Sequence, residues 1–444
     1  MDTLQYVKWL RGSSPYINAH RDRTFVLMLG GEAIADPNFE NIIHDIGLLA
    51  SLDVRLVVVF GARPQIDAAY AAAGIEPSYQ NQGRHLLRIT DDDGIRLVRQ
   101  VVGDLRIQIE ALLSTGLAGS PMHASRITAA SGNWVTAKPL GVIDGVDFCH
   151  TGEVRRVDAI ALRRQLDVGV IPVLGPIGYS PSGEVFNLAY EEVAAAVAGA
   201  LRADKLIALD EEPGVLDERG DRISELSPRE LETMIDRRRQ AAVGSDELLR
   251  QLTALHDASR AGVRRCHLVS HTVDGALLQE LFTREGSGTQ ISEHSYEQIR
   301  PAHRDDVAGI VELTRPLAEA GVLVERSREL IEREIERFTV IELDGLVIGC
   351  AALYPYPEEQ AAEIACVVTH PEYQGADRAE KLVRHLEHQA RREGFAHTFV
   401  LTTRTSHWFA EQGYAATEVE SLPAARRSLW SPMRNSKVLS KTLK

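Results

Sequence analysis

Two rhythms of apolar and polar positions divide the chain. Over about residues 1–286, short apolar runs alternate with stretches of helical spacing. Residues 25–29 form an apolar run closed by Gly30-Gly31, and residues 54–60 (VRLVVVF) are rich in β-branched side chains and end at Gly61. Runs of that kind predict strands buried on both faces. Between them, Ile42, Ile46 and Leu49 recur at helical spacing within residues 38–52, the stripe of a packed helix. Strand, helix, strand in this order is the unit of a parallel sheet. Residues 170–174, 191–201, 205–209, 264–270 and 274–282 continue the alternation. The pattern predicts a three-layer α/β domain.

The rhythm breaks at Gly286-Ser287-Gly288, and a linker is expected over 287–297. From 298 to 444 the order changes. A short helix is expected over 305–314. Ser327 is placed to cap a helix carrying Leu330, Ile331, Ile335 and Phe338 on one face. Strands over 339–343 and 346–354 meet at Asp344-Gly345, a hairpin signal, and 362–369 reads as a third strand. Residues 378–393 are amphipathic through Leu382, Val383, Leu386 and Ala390, with a stop at Gly394. A strand over 398–403, a short helix over 406–411 and a turn at Gly413-Tyr414 complete the second domain.

Composition narrows the function classes. Hydrophobic content of 44% and charged content of 25% are those of an ordinary folded protein. No apolar run approaches the roughly 18 residues of a membrane helix, and the first residues lack the basic start and apolar core of a signal peptide, so a cytoplasmic location is expected. The four cysteines form no C-x-x-C pair, and no metal is expected. A net charge of −14 argues against a general nucleic-acid binder. The last stretch runs the other way: residues 423–444 hold six Lys or Arg and no acid. It is either a solvated basic tail or a source of cations for an anionic substrate.

The element order of the second domain, with FTVIELDGLVIGCAALYPYPEEQAAEIACVVTHPEYQG, WFAEQGY and RNSK, resembles the GNAT acetyltransferase fold and, within it, the N-acetylglutamate synthase family. The resemblance implies transfer of an acetyl group from acetyl-CoA to L-glutamate, the opening step of arginine biosynthesis. It implies Glu363 as general base toward the substrate amine and Thr402 as the hydroxyl that protonates the departing sulfur. It implies cofactor contacts at Cys366, Val367, Val368, Gln374, Gly375, Ala376, Arg378 and Ala379, with backbone N–H groups near Cys366 and Val367 facing the developing oxyanion. A loop feeding a helix N-terminus suits a pyrophosphate. One position departs from the superfamily: Asp377 stands where the loop has its first signature glycine. The two carboxylates of glutamate call for arginine, and the resemblance assigns Arg326, Arg426 and Arg434, with Leu401, to the substrate. Cys366 has no evident His partner and reads as a packing residue rather than a nucleophile.

The first domain resembles the amino-acid kinase family, acetylglutamate kinase in particular, through Met28-Leu29-Gly30-Gly31 and Gly61-Ala62-Arg63-Pro64-Gln65-Ile66-Asp67. Active kinases carry Lys where this chain has Met28, and three glycines where it has Gly61-Ala62-Arg63. Phosphoryl transfer needs positioned cations and close backbone approach, so a kinase fold without kinase activity is expected. Tyr16, His267, Glu280, Gly286 and Gly288 resemble the arginine site of arginine-sensitive kinases, which implies L-arginine as a feedback effector. The resemblance further implies a homo-oligomer, a hexamer, with Trp9, Leu10 and Tyr16 on a contact helix. Two other readings stand beside this one. One is an active acetylglutamate kinase with a fused acetyltransferase, against which Met28 speaks. The other is an arginine-binding regulator with a degenerate acetyltransferase domain, which Asp377 favours.

Overall fold

The computed structural model describes residues 3–82, 85–114, 122, 126–241, 246–283, 285–292, 297–343, 346–374 and 377–443. The chain divides into two compact units, Met1–Glu293 and His294–Lys444.

The first unit is built on an eight-stranded sheet. Its strands are β1 (Thr24–Leu29), β2 (Arg55–Phe60), β3 (Thr128–Ala130), β4 (Val170–Leu174), β5 (Lys205–Asp210), β6 (Glu225–Leu226), β7 (Arg265–Ser270) and β8 (Thr289–Ile291), in the order β6-β8-β7-β5-β1-β2-β4-β3. The pairs β1–β5, β1–β2 and β5–β7 are parallel; β8 runs antiparallel to β7. Alternation along β1 and β2 sorts the core into two clusters. Val26, Met28, Val57 and Val59 join one, and Phe25, Leu27, Leu29, Leu56, Val58 and Phe60 the other. A sheet with an apolar core on each face is the three-layer architecture that the sequence predicts.

Helices supply the outer layers through apolar stripes. α1 (Thr3–His20) precedes β1; the side chains of Trp9 and Leu10 lie outside the described residues. α2 (Phe39–Ser51) buries Ile42, Ile43, Ile46 and Leu49. α3 (Arg63–Ala73) follows β2, and α4 (Tyr190–Leu201) buries Val193, Ala194, Val197, Ala198 and Leu201. α5 (Asp246–Arg260) and α6 (Ala276–Phe282) flank β7 in sequence. The span expected as linker carries β8, whose residues are all buried and which lies between β6 and β7.

The second unit has a seven-stranded sheet. Its strands are β9 (Glu297–Pro301), β10 (Phe338–Leu343), β11 (Leu346–Tyr356), β12 (Ala361–Thr369), β13 (His397–Thr402), β14 (Ala415–Thr417) and β15 (Lys437–Thr442), ordered β9-β10-β11-β12-β13-β15-β14. α7 (Val307–Glu319) and α8 (Arg328–Arg333) belong to the cluster on one face; α9 (Arg378–Arg392) packs Leu382, Val383, Leu386 and Ala390 on the other. Ser327 caps α8 as expected, its hydroxyl accepting from Leu330 N at 3.2 Å. The helix does not reach Phe338, however. It ends at Arg333, a single 3-10 turn follows over Ile335–Arg337, and Phe338 opens β10. Ile335 and Phe338 are three apart, a spacing that a 3-10 turn also serves. The Asp344-Gly345 turn lies outside the described residues.

Two features open a cleft in this sheet. The parallel pairing of β12 with β13 covers only Ala361↔His397, Ala362↔Thr398 and Glu363↔Phe399. β12 then runs on to Thr369, and β13 to Thr402, with no further pairing between them among the described residues. Across β11 and β12 the register shifts, Cys350↔Val368 being followed by Ala352↔Ala365. Two residues of β12 there face one of β11, a β-bulge, and Cys366 takes φ 53 within it. The bulge turns β12 away from β13 just beyond Glu363.

Candidate active site

Glu363 sits at the mouth of this cleft, in the last residue pair before the strands part. Its side chain is 6% exposed and meets a bidentate partner: Arg426 donates from Nε to Oε2 at 2.6 Å and from Nη2 to Oε1 at 3.1 Å. Tyr356, on the neighbouring strand β11, donates its hydroxyl to Oε2 at 3.4 Å. Burial first, and then Glu363, push the Tyr356 phenol up to about 12, so it remains a donor. Burial opposes the Arg426 charge, but its bonds to Glu363 raise its pKa above the ordinary value.

Arg326 is half-buried in the loop before α8, its guanidinium 5.8 Å from the centre of the Tyr354 ring, a cation–π distance. Burial opposes its charge, but the Tyr354 hydroxyl and the Glu363 carboxylate nearby hold its pKa above the ordinary value. Arg434 donates from Nη2 to Val322 O at 3.0 Å, tying the turn around residue 434 to the loop that leads to Arg326. Leu401 is half-buried against the cluster of Ala361, Phe399, Leu422 and Val438. The structure therefore gathers Glu363, Arg326 and Arg426 and places Arg434 behind the loop that carries Arg326.

Thr402 ends β13. Its Oγ1 accepts from Thr405 N at 3.0 Å and from Arg404 N at 3.3 Å, and lies 2.8 Å from Thr405 Oγ1. Cys366 and Val368 are buried and Val367 is half-buried on the splayed part of β12. Burial raises the Cys366 thiol to about 11, which keeps it neutral and unsuited to nucleophilic work.

The N-terminus of α9 is next along the chain. Gln374 is exposed, Gly375 and Ala376 lie outside the described residues, and Ala379 is half-buried. Arg378 donates to Tyr373 O at 2.9 Å. Asp377 occupies the left-handed region, at φ 54 and ψ 26, and its side chain makes no capping bond. The residue in the signature-glycine place has the backbone that glycine adopts most easily.

In the first unit, three of the residues read as an effector site, His267, Glu280 and Gly288, form one connected chain with Lys205. Lys205 Nζ lies 3.1 Å from His267 Nε2, and His267 Nδ1 lies 2.7 Å from Glu280 Oε1. The consistent assignment has Lys205 donating to Nε2 and Nδ1–H donating to the carboxylate. Glu280 Oε2 also accepts from Ser287 N and Gly288 N, both at 2.8 Å. Burial works against the Glu280 charge, but His267 and the two amides hold its carboxyl down at about 2. Burial and then Lys205 push His267 down to about 4, so it is neutral. Glycine is required twice: a Cβ at Gly286 would lie 2.5 Å from Glu280 Oε2, and one at Gly288 would lie 2.2 Å from Leu268 O. Tyr16 is half-buried on α1, and His20 of the same helix meets Leu281 O at 2.8 Å. Sequence reasoning missed Lys205, a charge just before the apolar run 206–209; its burial beside His267 was visible only in three dimensions.

The two motifs that resemble a kinase's lie beside clustered carboxylates. Met28 is fully buried. Arg63 pairs with Glu247 at 3.3 Å and Glu191 at 3.8 Å, and Arg250 pairs with the same two acids at 3.0 and 2.9 Å. Beside Gly30, a cavity of about 440 Å³ is lined by Glu32, Asp210, Glu211, Glu212 and Glu247, with Arg238. Such a lining repels a triphosphate.

Comparison with known proteins agrees with both units. Residues 23–270 match the Amino acid kinase family and residues 307–414 the Acetyltransferase (GNAT) family. An amino-acid acetyltransferase of Ectopseudomonas mendocina (strain ymp) is 52% identical over 438 residues, covering 99% of each chain. Another, of Pseudomonas aeruginosa (strain LESB58), is 51% identical with the same coverage. Among solved structures, N-acetylglutamate synthase from Neisseria gonorrhoeae complexed with coenzyme A and L-arginine is 36% identical, with a TM-score of 0.88 and 99% of each chain covered. The fold and site define a GNAT acetyltransferase joined to an amino-acid-kinase fold. The chain belongs to the amino-acid acetyltransferase family and is an acetyltransferase enzyme.

Proposed function

We propose that the chain moves the acetyl group of acetyl-CoA to the α-amino group of L-glutamate, giving N-acetyl-L-glutamate and CoA, under feedback inhibition by L-arginine bound in the first unit. The observation that carries the transfer is the buried Glu363 in a splayed β12–β13 cleft beside two arginines. Acetyl-CoA supplies the acyl thioester. Arg326 and Arg426 receive the substrate carboxylates, since paired guanidinium groups select a dianionic amino acid. Glu363 takes the proton of the attacking amine. Backbone N–H groups around Cys366 and Val367 face the acyl oxygen as it gains charge. Thr402, at the end of β13, turns its O–H from Thr405 Oγ1, 2.8 Å away, to the departing sulfur. The N-terminus of α9, with Gln374 and Arg378, takes the pyrophosphate.

The gonococcal relative was solved with L-arginine and, separately, with N-acetyl-glutamate, each with coenzyme A, which supports the substrate and effector named here. The Lys205–His267–Glu280 chain is the arginine site, its carboxylate offering the counter-charge to a guanidinium. The first unit performs no phosphoryl transfer, because apolar Met28 and the acids around Arg63 replace the cations that phosphates need. We place the enzyme in the cytoplasm as a homo-oligomer; no helix among the described residues is long and apolar enough to cross a membrane. Thiol release from acetyl-CoA, with and without L-glutamate and then with L-arginine, tests the whole reading. Glutamate-dependent release suppressed by arginine is expected. Release insensitive to arginine removes the sensor; no release from folded protein removes the enzyme.

A further inference from the structure

While Arg426 holds both oxygens of Glu363, an incoming amine must compete with a guanidinium for the carboxylate. The bidentate pair uses Oε1 and Oε2 together, and both side chains are largely buried, at 6% and 16% exposed. Arg426 is also held from behind. Its short helix, Ala424–Arg427, is tied to the strand side by Ala424 N donating to Glu359 Oε1 at 3.0 Å and by buried Leu422. Tyr356 reaches the same Oε2 from β11, and its ring stands 5.7 Å from that of Phe399, the register partner of Glu363.

We propose that Arg426 locks the base in the free enzyme, that a substrate carboxylate releases it by taking over the guanidinium, and that Tyr356 then keeps the freed Glu363 aimed into the cleft. This rests on the reading of Glu363 as base and Arg426 as a substrate contact. In the exchange one carboxylate replaces another on Arg426, so no buried guanidinium is left unpaired, and the freed Glu363 keeps the Tyr356 hydroxyl as a donor. Arg426 is thereby the specificity-determining residue: an amine without a carboxylate, or water alone, leaves the base engaged. The lock also protects the thioester. If Glu363 were free, it could take a proton from water while the water oxygen attacked the acyl carbon and the C–S bond broke, giving acetate and CoA thiol. Tyr356 is a positioning residue that acts through Glu363.

The test uses the whole protein and separates acetylation from hydrolysis by measuring N-acetylglutamate and thiol release together. Glutarate, which has both carboxylates of glutamate and no amine, is added to the wild type with acetyl-CoA. An increase in thiol release of about fivefold or more without acetylated product is expected, absent in Glu363→Gln. Arg426→Gln is expected to hydrolyse acetyl-CoA faster than wild type without glutarate, and to gain nothing from it. Tyr356→Phe is expected to lower kcat with little change in KM for glutamate. Hydrolysis unmoved by glutarate, in a wild type that does form N-acetylglutamate, overturns the lock and leaves the enzyme reading standing. A wild type that forms no N-acetylglutamate overturns that reading itself.

Discussion

Replacing Asp377 by glycine should tighten acetyl-CoA binding without changing the fold. Asp377 is exposed, stands just before α9 at φ 54, and makes no capping bond, so its side chain contributes no contact that would be lost. The left-handed backbone costs an L-residue roughly 1–2 kcal/mol, with Asp toward the low end. Glycine removes that cost but adds about 0.5–1 kcal/mol of chain entropy to the unfolded state. The two nearly cancel, and the melting temperature should move by no more than a degree or two. Binding is different. An exposed carboxylate facing the two charges of a pyrophosphate is worth about 1 kcal/mol of repulsion at a water-like dielectric, or about fivefold in KM. Asp377→Asn provides the control, since Asn tolerates the same backbone and carries no charge. Initial rates against acetyl-CoA concentration should give a KM about fivefold lower for both variants, and the gain should shrink as salt is raised. KM values within twofold of wild type in both variants would refute the placement of the pyrophosphate at this loop. A fall in Asp377→Gly alone would assign the effect to backbone freedom.

Glu363→Gln should lower kcat by about 10²- to 10⁴-fold while circular dichroism stays that of the wild type, and should lower the melting temperature because Arg426 loses its buried carboxylate partner. Glu280→Gln should abolish inhibition by L-arginine in the thiol-release assay and leave the uninhibited rate within about twofold. Met28→Lys should restore no phosphoryl transfer to N-acetylglutamate from ATP, because the acids around Arg63 remain, and should lower the melting temperature by burying an unpaired ammonium. His267 is depressed to about 4 in the folded state. Its contribution is therefore complete above its unfolded pKa of roughly 6.5 and is lost as pH falls toward 4. The stability gap between wild type and His267→Gln should close over that window in denaturant titrations, and a gap that widens there would contradict a neutral buried His267.

What the sequence revealed and what it concealed follow from the range of the forces involved. β1, β2, β4, β5 and β7 were legible because each is an apolar run that a parallel sheet buries on both faces. α9 was legible because Leu382, Val383, Leu386 and Ala390 repeat on one face. β15 was not: Val438 and Leu439 are buried, but they lie between Lys437 and Lys441 in a stretch dominated by charge. Lys441 is no tail cation either, since it meets both oxygens of Glu387 at 2.8 Å. The residue types of the candidate site were readable from motif resemblance. Their pairing was not, because Glu363 and Arg426 are brought together by the fold across 63 positions. Lys205 and His267 are likewise 62 positions apart. No local period encodes such a meeting.

The three residue pairs that join β12 to β13 also have a mechanical meaning. They leave the seven strands as two panels, β9 to β12 and β13-β15-β14, stitched along one short seam. Amide hydrogens on the outer runs of both strands have no ladder across that seam, so they should exchange with solvent earlier than those of the panel interiors. A molecule wedged between the panels would act as a clasp, slowing that exchange on both sides at once. On the proposed reading of Glu363, this joint is also the place where the reactants would enter.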